Sequence, residues 1–355
     1  MAIIFVFVYH YRIFGNPPLV DTIGEFGWTG VDLFFVLSGY LIGGQLLGAI
    51  AKDRPIAYGE FWFKRFMRII PAYAATLILY YTVPAFTERS HLPPRWKLLT
   101  FTQNFGLDLS KTAAFSHAWS LCIEEQFYLI LPLVILALPI KSRYSRLIIP
   151  VIVLIGLAAR TFCWFHFIAP ISPDGPRGIP FYKWIYYPTW GRLDGLLAGV
   201  SLAALYHFKP QRWQKLTRYG NGCLLASLAL ITAAGFLSAG FDTFRTAVLG
   251  FPLISLAYGL LVFAALSPNT LLYRFGSRLT RFVATISYSL YLTHKQIIHL
   301  TQQILVGPDG DHDSYWLFAV CAVTAVAAAT LLHFAVERPF MKWRDRLTIL
   351  YKSKL

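Results

Sequence analysis

The stretch SHAWSLCIEEQFYLILPL, residues 116–133, sets two adjacent carboxylates, Glu124 and Glu125, inside an otherwise apolar run. Continued to about residue 139, it is long enough to cross the ~30 Å hydrocarbon core of a bilayer as a helix. Charges at such a depth are costly and mark function by default. Apolar runs of similar character recur on both sides of it, over about 1–14, 28–50, 66–86, 147–168, 184–207, 221–240, 245–267, 282–305 and 315–336. The period-2 alternation of a soluble β-rich chain is not visible. Of the 355 residues, 56% are hydrophobic and only 14% charged, where soluble domains carry about 25%. The expected fold is all-α: a polytopic membrane protein of about ten transmembrane helices around a polar cavity, in one domain spanning 1–355. The first run is short for a span, so its helix either starts upstream of Met1 or crosses as a short element. It lacks the basic region and small-residue cleavage site of a signal peptide.

The net charge of +15 is explained by where the charges lie. Lys and Arg concentrate in alternate connections, after the second, fourth, sixth and eighth runs and in the tail from Arg338 to Lys354; the other connections are poor in them. The positive-inside rule then puts both termini in the cytoplasm. No nucleic-acid-binding motif accompanies the positive charge, so the expected partner is the lipid bilayer and not nucleic acid. Cys122, Cys163, Cys223 and Cys321 fall in apolar runs with no CxxC or metal spacing, and no metal is expected.

The ionisable residues within the runs are His10, Asp32, Glu124, Glu125, Arg160, Arg192, Asp194, His294, Lys295, His299 and His333. Counted at ~1.5 Å per residue, most share the outer-to-middle depth of the bilayer, which points to a water-containing cavity. Separate structural pairs are the alternative, with Asp32 on Arg160 or Arg192. Arg192 and Asp194, two residues apart, do not face each other on a regular helix and reach different partners. Arg65 and Arg68, in FKRFMRIIPAY (63–73), share one helix face at a cytoplasmic mouth. They read either as flanking charge or as a fork for an anionic ligand such as phosphate. His299 and His333 read as interhelical hydrogen bonders. Glu337, in ERPF (337–340), reads as a partner of a basic loop. Trp119, Tyr128, Trp190 and Tyr187 could stack on a sugar; for Trp190 and Tyr187 the interfacial aromatic belt is the competing reading.

Seven stretches together resemble the membrane-bound acyltransferase 3 family, the bacterial O-acyltransferases of surface sugars: FVYH ending at His10, GVDLFFVLSGYLI (30–42), FKRFMRIIPAY, AWSLCIEEQFYLILP (118–132), WGRLDGLLAG (190–199), ISYSLYLTH (286–294) and ERPF. Each is weak alone; in order, they cover nearly the whole chain. The resemblance implies transfer of an acyl group, acetyl, from cytosolic acyl-CoA to a hydroxyl of a cell-envelope or exported carbohydrate outside the bacterial inner membrane. It maps the family's first-helix histidine to His10. Its RxxR pair falls on Arg65 and Arg68, for the CoA donor, and its W-S-L-x-x-E motif on Trp119, Ser120, Leu121 and Glu124. Two features depart from the family. Its arginine about eleven residues before the histidine would precede Met1, so the N-terminal helix is expected to be truncated, and the C-terminal SGNH hydrolase-like domain of some members is expected to be absent.

A hydroxyl is a poor nucleophile at neutral pH, so acyl transfer needs a base, and histidine has a suitable pKa. His10 would act as that base or carry the acyl group itself. Glu124 and Asp32 are the candidates to orient its imidazole. Arg192, Asp194 and His294 complete the expected cavity with Trp119 and Tyr128. A proton-coupled transporter or exporter using the same His, Asp and Glu residues is the rival reading, although no internal repeat is visible.

Overall fold

The computed structural model describes residues 1–352 apart from Ser90, Pro173 and Asp309. Lys354, counted with the basic tail, lies outside them. Every regular element among the described residues is helical. Six stretches are long and apolar enough to cross a membrane: Gly27–Ala51, Ser116–Ala137, Tyr144–Ile168, Gly220–Leu237, Thr246–Ala265 and Tyr315–Leu350. Ala2–Tyr11 and Asp194–Phe208 are shorter apolar helices. We number the principal helices α1 (Ala2–Tyr11), α2 (Gly30–Ala51), α3 (Tyr58–Thr82), α4 (Trp119–Ala137), α5 (Ile148–Cys163), α6 (Asp194–Phe208), α7 (Gly220–Leu237), α8 (Phe251–Ala265), α9 (Arg278–Leu305), α10 (Tyr315–Leu332) and α11 (Arg338–Lys352).

These helices fall into two compact units. One comprises Met1–Gly30, Ala57–Ser90 and Ser277–Leu355; the other comprises Val31–Ile56 and His91–Gly276. In the first, α9 packs along α10 and against α1, and α11 packs on α3. Ser277 and Thr280 close the start of α9 with a reciprocal capping box, which satisfies backbone N–H groups that a helix start leaves open. Tyr288 ties α9 to α3 by donating to the Ile69 carbonyl oxygen at 2.9 Å. The last apolar run does not end near 336: a π-turn over His333–Glu337 carries α10 into α11.

In the second unit α8 packs against α7 and α6, and α5 against α6. Helices α2 and α6 cross backbone to backbone. A β-carbon on Gly39 would collide with the Leu196 carbonyl oxygen, and one on Gly199 with that of Val36. Gly39 and Gly43 on α2, like Gly195 and Gly199 on α6, are spaced as small-xxx-small pairs, the pattern that lets helices approach closely in lipid.

The run expected as one helix over 184–207 is interrupted. A π-turn, Tyr182–Tyr186, is followed by a short 3₁₀ turn, Thr189–Gly191, and α6 starts only at Asp194. Pro188 explains the break: it has no N–H to donate and its ring clashes with the preceding turn, and its own backbone is extended, at φ −67° and ψ 142°. Broken backbone at membrane depth must find other partners. Here Asn104 donates to the Tyr187 carbonyl at 3.3 Å, and Arg160 donates to that of Gly191 at 2.8 Å.

Candidate active site

In the first unit, His10 occupies the last turn of α1 and is half-buried, while His294, midway along α9, is fully buried. Their ring nitrogens, His10 Nδ1 and His294 Nε2, are 2.9 Å apart. The other nitrogen of His294, Nδ1, lies 2.9 Å from the Tyr291 carbonyl oxygen and 3.1 Å from that of Leu290. A carbonyl oxygen only accepts, so Nδ1 of His294 carries its proton. In the neutral ring Nε2 then accepts, and His10 Nδ1 must be the donor. The chain of hydrogen bonds thereby fixes the His10 tautomer with Nε2 as its basic nitrogen.

The neighbour of His294 on α9 faces another way. Lys295 is 2% exposed and its Nζ is 3.3 Å from Glu88 Oε1. The other oxygen of Glu88 accepts from the Tyr80 hydroxyl at 2.7 Å, and Gln296 donates to that hydroxyl. A buried ammonium held by a carboxylate with further hydrogen bonds meets the condition for keeping charge out of water. The sequence singles out Lys295 as an ionisable residue within an apolar run but does not single out Glu88. The usable signal was that a lysine inside an apolar run needs an acid, and Glu88 follows the third run directly.

Arg65 and Arg68 are both half-buried on α3, and Arg68 reaches Met341 of α11, 3.8 Å from its sulfur. Glu337 departs from its expected pairing with a basic loop. It is 1% exposed, accepts from Ser289 at 2.9 Å and lies 2.9 Å from His333 Nδ1. The π-turn continues α10 past the membrane boundary expected from hydropathy, and this keeps Glu337 inside the helix packing.

The second unit contains the other polar candidates. Arg192 donates to Asp32 at 2.9 Å, and Arg160 donates to Asp194 at 2.5 Å. Arg192 and Asp194 thus point to different partners, as two positions flanking the start of a helix should. The Arg192 guanidinium lies over three rings, with its carbon 4.2 Å from the centroid of Phe251, 4.7 Å from Tyr186 and 5.7 Å from Trp119, in a cation–π setting. Trp119 is buried in this cluster. Tyr187, weighed as an interfacial anchor, is buried beside Trp119 with ring centroids 5.3 Å apart. Trp190 is partly exposed and stacks on Phe105.

Glu124 and Tyr128 are one turn apart on α4 and meet α2 at one side chain. Ser38 donates to Glu124 Oε1 at 2.6 Å and accepts from the Tyr128 hydroxyl at 3.0 Å. Ser38 was not singled out from the sequence, where a serine in an apolar helix carries no distinctive mark. Among the described residues no group of three His, Cys, Asp or Glu side chains is placed to hold a metal ion.

A profile of an acyltransferase domain matches residues 1–334. A peptidoglycan O-acetyltransferase of Listeria monocytogenes is 26% identical over the whole of this chain and 58% of its own length. A putative O-acetyltransferase of Staphylococcus aureus is 29% identical over 89% of this chain and 53% of its own. A putative peptidoglycan O-acetyltransferase of Bacillus subtilis is 27% identical over 88% and 50%. The chain therefore spans little more than half the length of these relatives. No solved structure matches.

Proposed function

We propose a reaction for this chain from one premise: it belongs to the acyltransferase domain family. It transfers an acyl group, acetyl, from acyl-CoA on the cytoplasmic side of the bacterial inner membrane to a hydroxyl of a cell-envelope carbohydrate on the outer side. The names of the relatives support O-acetylation of a peptidoglycan-type acceptor. Ten membrane crossings with both termini cytoplasmic are supported by the six long apolar helices and the two shorter ones, by the length of α3 and α9, and by the distribution of Lys and Arg.

The observation that carries the chemistry is the His10–His294 pair. With Nδ1 of His10 committed to His294, Nε2 is the nitrogen that takes the proton from the acceptor hydroxyl as its oxygen attacks the thioester carbonyl. The CoA thiolate leaves and is protonated in turn, and the ester remains on the carbohydrate. If His10 instead carries the acyl group, the same Nε2 is the attacking atom. His294 is a positioning residue, because it selects the tautomer and orients the ring. Arg65 and Arg68, on one helix face, would hold the phosphates of the donor. Glu124, with Ser38 and Tyr128, supplies hydrogen-bonding groups suited to carbohydrate hydroxyls. The Arg192 and Arg160 partnerships of Asp32 and Asp194 support structural roles for those carboxylates. Family membership favours transfer over the proton-coupled transport reading.

The test uses inverted membrane vesicles. Labelled acetyl-CoA is added to the cytoplasmic face and label is followed into luminal glycan. His10→Ala should lower turnover by about 10²–10⁴-fold with insertion unchanged. His294→Leu should reduce turnover and shift its pH profile, and His294→Gln, which can still accept from His10 Nδ1, should recover part of both. Arg65→Ala with Arg68→Ala should raise the KM for acetyl-CoA more than that for acceptor. Full activity of His10→Ala overturns the assignment.

A further inference from the structure

A cavity of about 970 Å³ lies within the second unit, between α2, α4, α5 and α6. Its walls are apolar, formed by residues such as Leu47, Leu131, Ile135, Ile152, Leu197 and Val200. It follows α6 from Leu193, just before its first residue, to Phe208, its last, a path of roughly 20 Å at 1.5 Å per residue. One end is basic: Lys141, Arg146, Lys209 and Arg212 all line it. Lys141 is paired with Asp53. Arg146, Lys209 and Arg212 are exposed, and none of the three has an acidic partner among the described residues.

Positive-inside placement explains why such residues sit in connections after apolar helices, but not why they converge on the mouth of one apolar cavity. Like charges gathered there repel unless an anion joins them. Apolar walls of this kind are not filled stably by water, and the volume is that of a site for a sizeable ligand. The occupant must therefore be amphiphilic, with a hydrocarbon tail along α6 and an anionic head at the cations. We propose that this cavity is a binding site for a membrane phospholipid with an anionic headgroup, lying tail-first along α6 with its phosphate at Arg146, Lys209 and Arg212. Basic pockets between membrane helices recognise anionic lipid heads in this way. The site is independent of the acyl-transfer reading.

The experiment is native mass spectrometry of the purified full chain in mild detergent, titrated with phosphatidylglycerol and with phosphatidylcholine of identical acyl chains. Phosphatidylglycerol should bind at least tenfold more tightly. In the Arg146→Gln, Lys209→Gln, Arg212→Gln variant the preference should fall to twofold or less; these exposed side chains have no ion-pair partners whose loss would disturb folding. Ala204→Trp, which fills the cavity from α6, should weaken both lipids, with the melting temperature reporting whether the chain stays folded. Equal binding of the two lipids, or a preference that survives the triple substitution, overturns the proposal. So does complete displacement of the phospholipid by inorganic phosphate or by an equimolar long-chain acyl-CoA, since the head alone or the donor would then be the ligand.

Discussion

Two buried arginines of the second unit each pair with one carboxylate among the described residues, Arg192 with Asp32 and Arg160 with Asp194. Arg192 and Asp32 are both at most 2% exposed, so removing one partner leaves an uncompensated charge. Breaking such a pair costs about 3–5 kcal/mol, while replacing both members with apolar groups is often close to neutral. Asp32→Ala should therefore lower the melting temperature sharply in detergent, and Asp32→Leu combined with Arg192→Leu should restore most of it. If Asp32→Ala leaves stability intact and abolishes only turnover, Asp32 belongs to the chemistry and not to the scaffold. Spacing alone indicated that Arg192 and Asp194 reach apart. It left Asp32 between two arginines, because the choice depends on how α2 and α6 cross, which no local pattern records.

At the scale of the helices, the glycines of α2 and α6 set that crossing. Gly39→Leu and Gly199→Val would each drive a side chain into a facing backbone carbonyl. Backbone has no rotamer to yield, so these variants should exceed the 1–3 kcal/mol of ordinary overpacking and shift the protein to aggregates on fluorescence-detected size exclusion. Gly222→Ala, in α7, meets nothing within 4 Å and should be neutral or stabilising by about 0.5–1 kcal/mol. The apolar runs were legible because length and hydropathy act locally. The interruption before Asp194 was less so: Pro188 announces a break, yet the apolar residues around it continue the pattern of a span. The histidines were legible as candidates through their motifs, whereas the His10–His294 bond was not, since it joins positions 284 residues apart.

For the whole molecule, the proposed topology makes a prediction that hydropathy alone does not. In a variant lacking Cys122, Cys163, Cys223 and Cys321, single cysteines at the exposed positions Arg54 and Lys111 should react with a membrane-impermeant maleimide from opposite faces. Arg54→Cys should label only in inverted vesicles and Lys111→Cys only in intact cells stripped of the outer barrier. Labelling of both from one side would remove the ten-crossing count.

The Asp32–Arg192 pair has a further consequence, for biogenesis. The two residues are separated by 160 positions, and ribosomes add about 5–20 residues per second. After α2 leaves the ribosome, on the order of ten seconds or more pass before its counter-charge is made. Throughout that interval the carboxylate is without Arg192, its partner in the folded chain. The final placement of α2 is therefore completed only with the second half of the chain, and α2 enters the membrane before the arginine that neutralises its buried carboxylate.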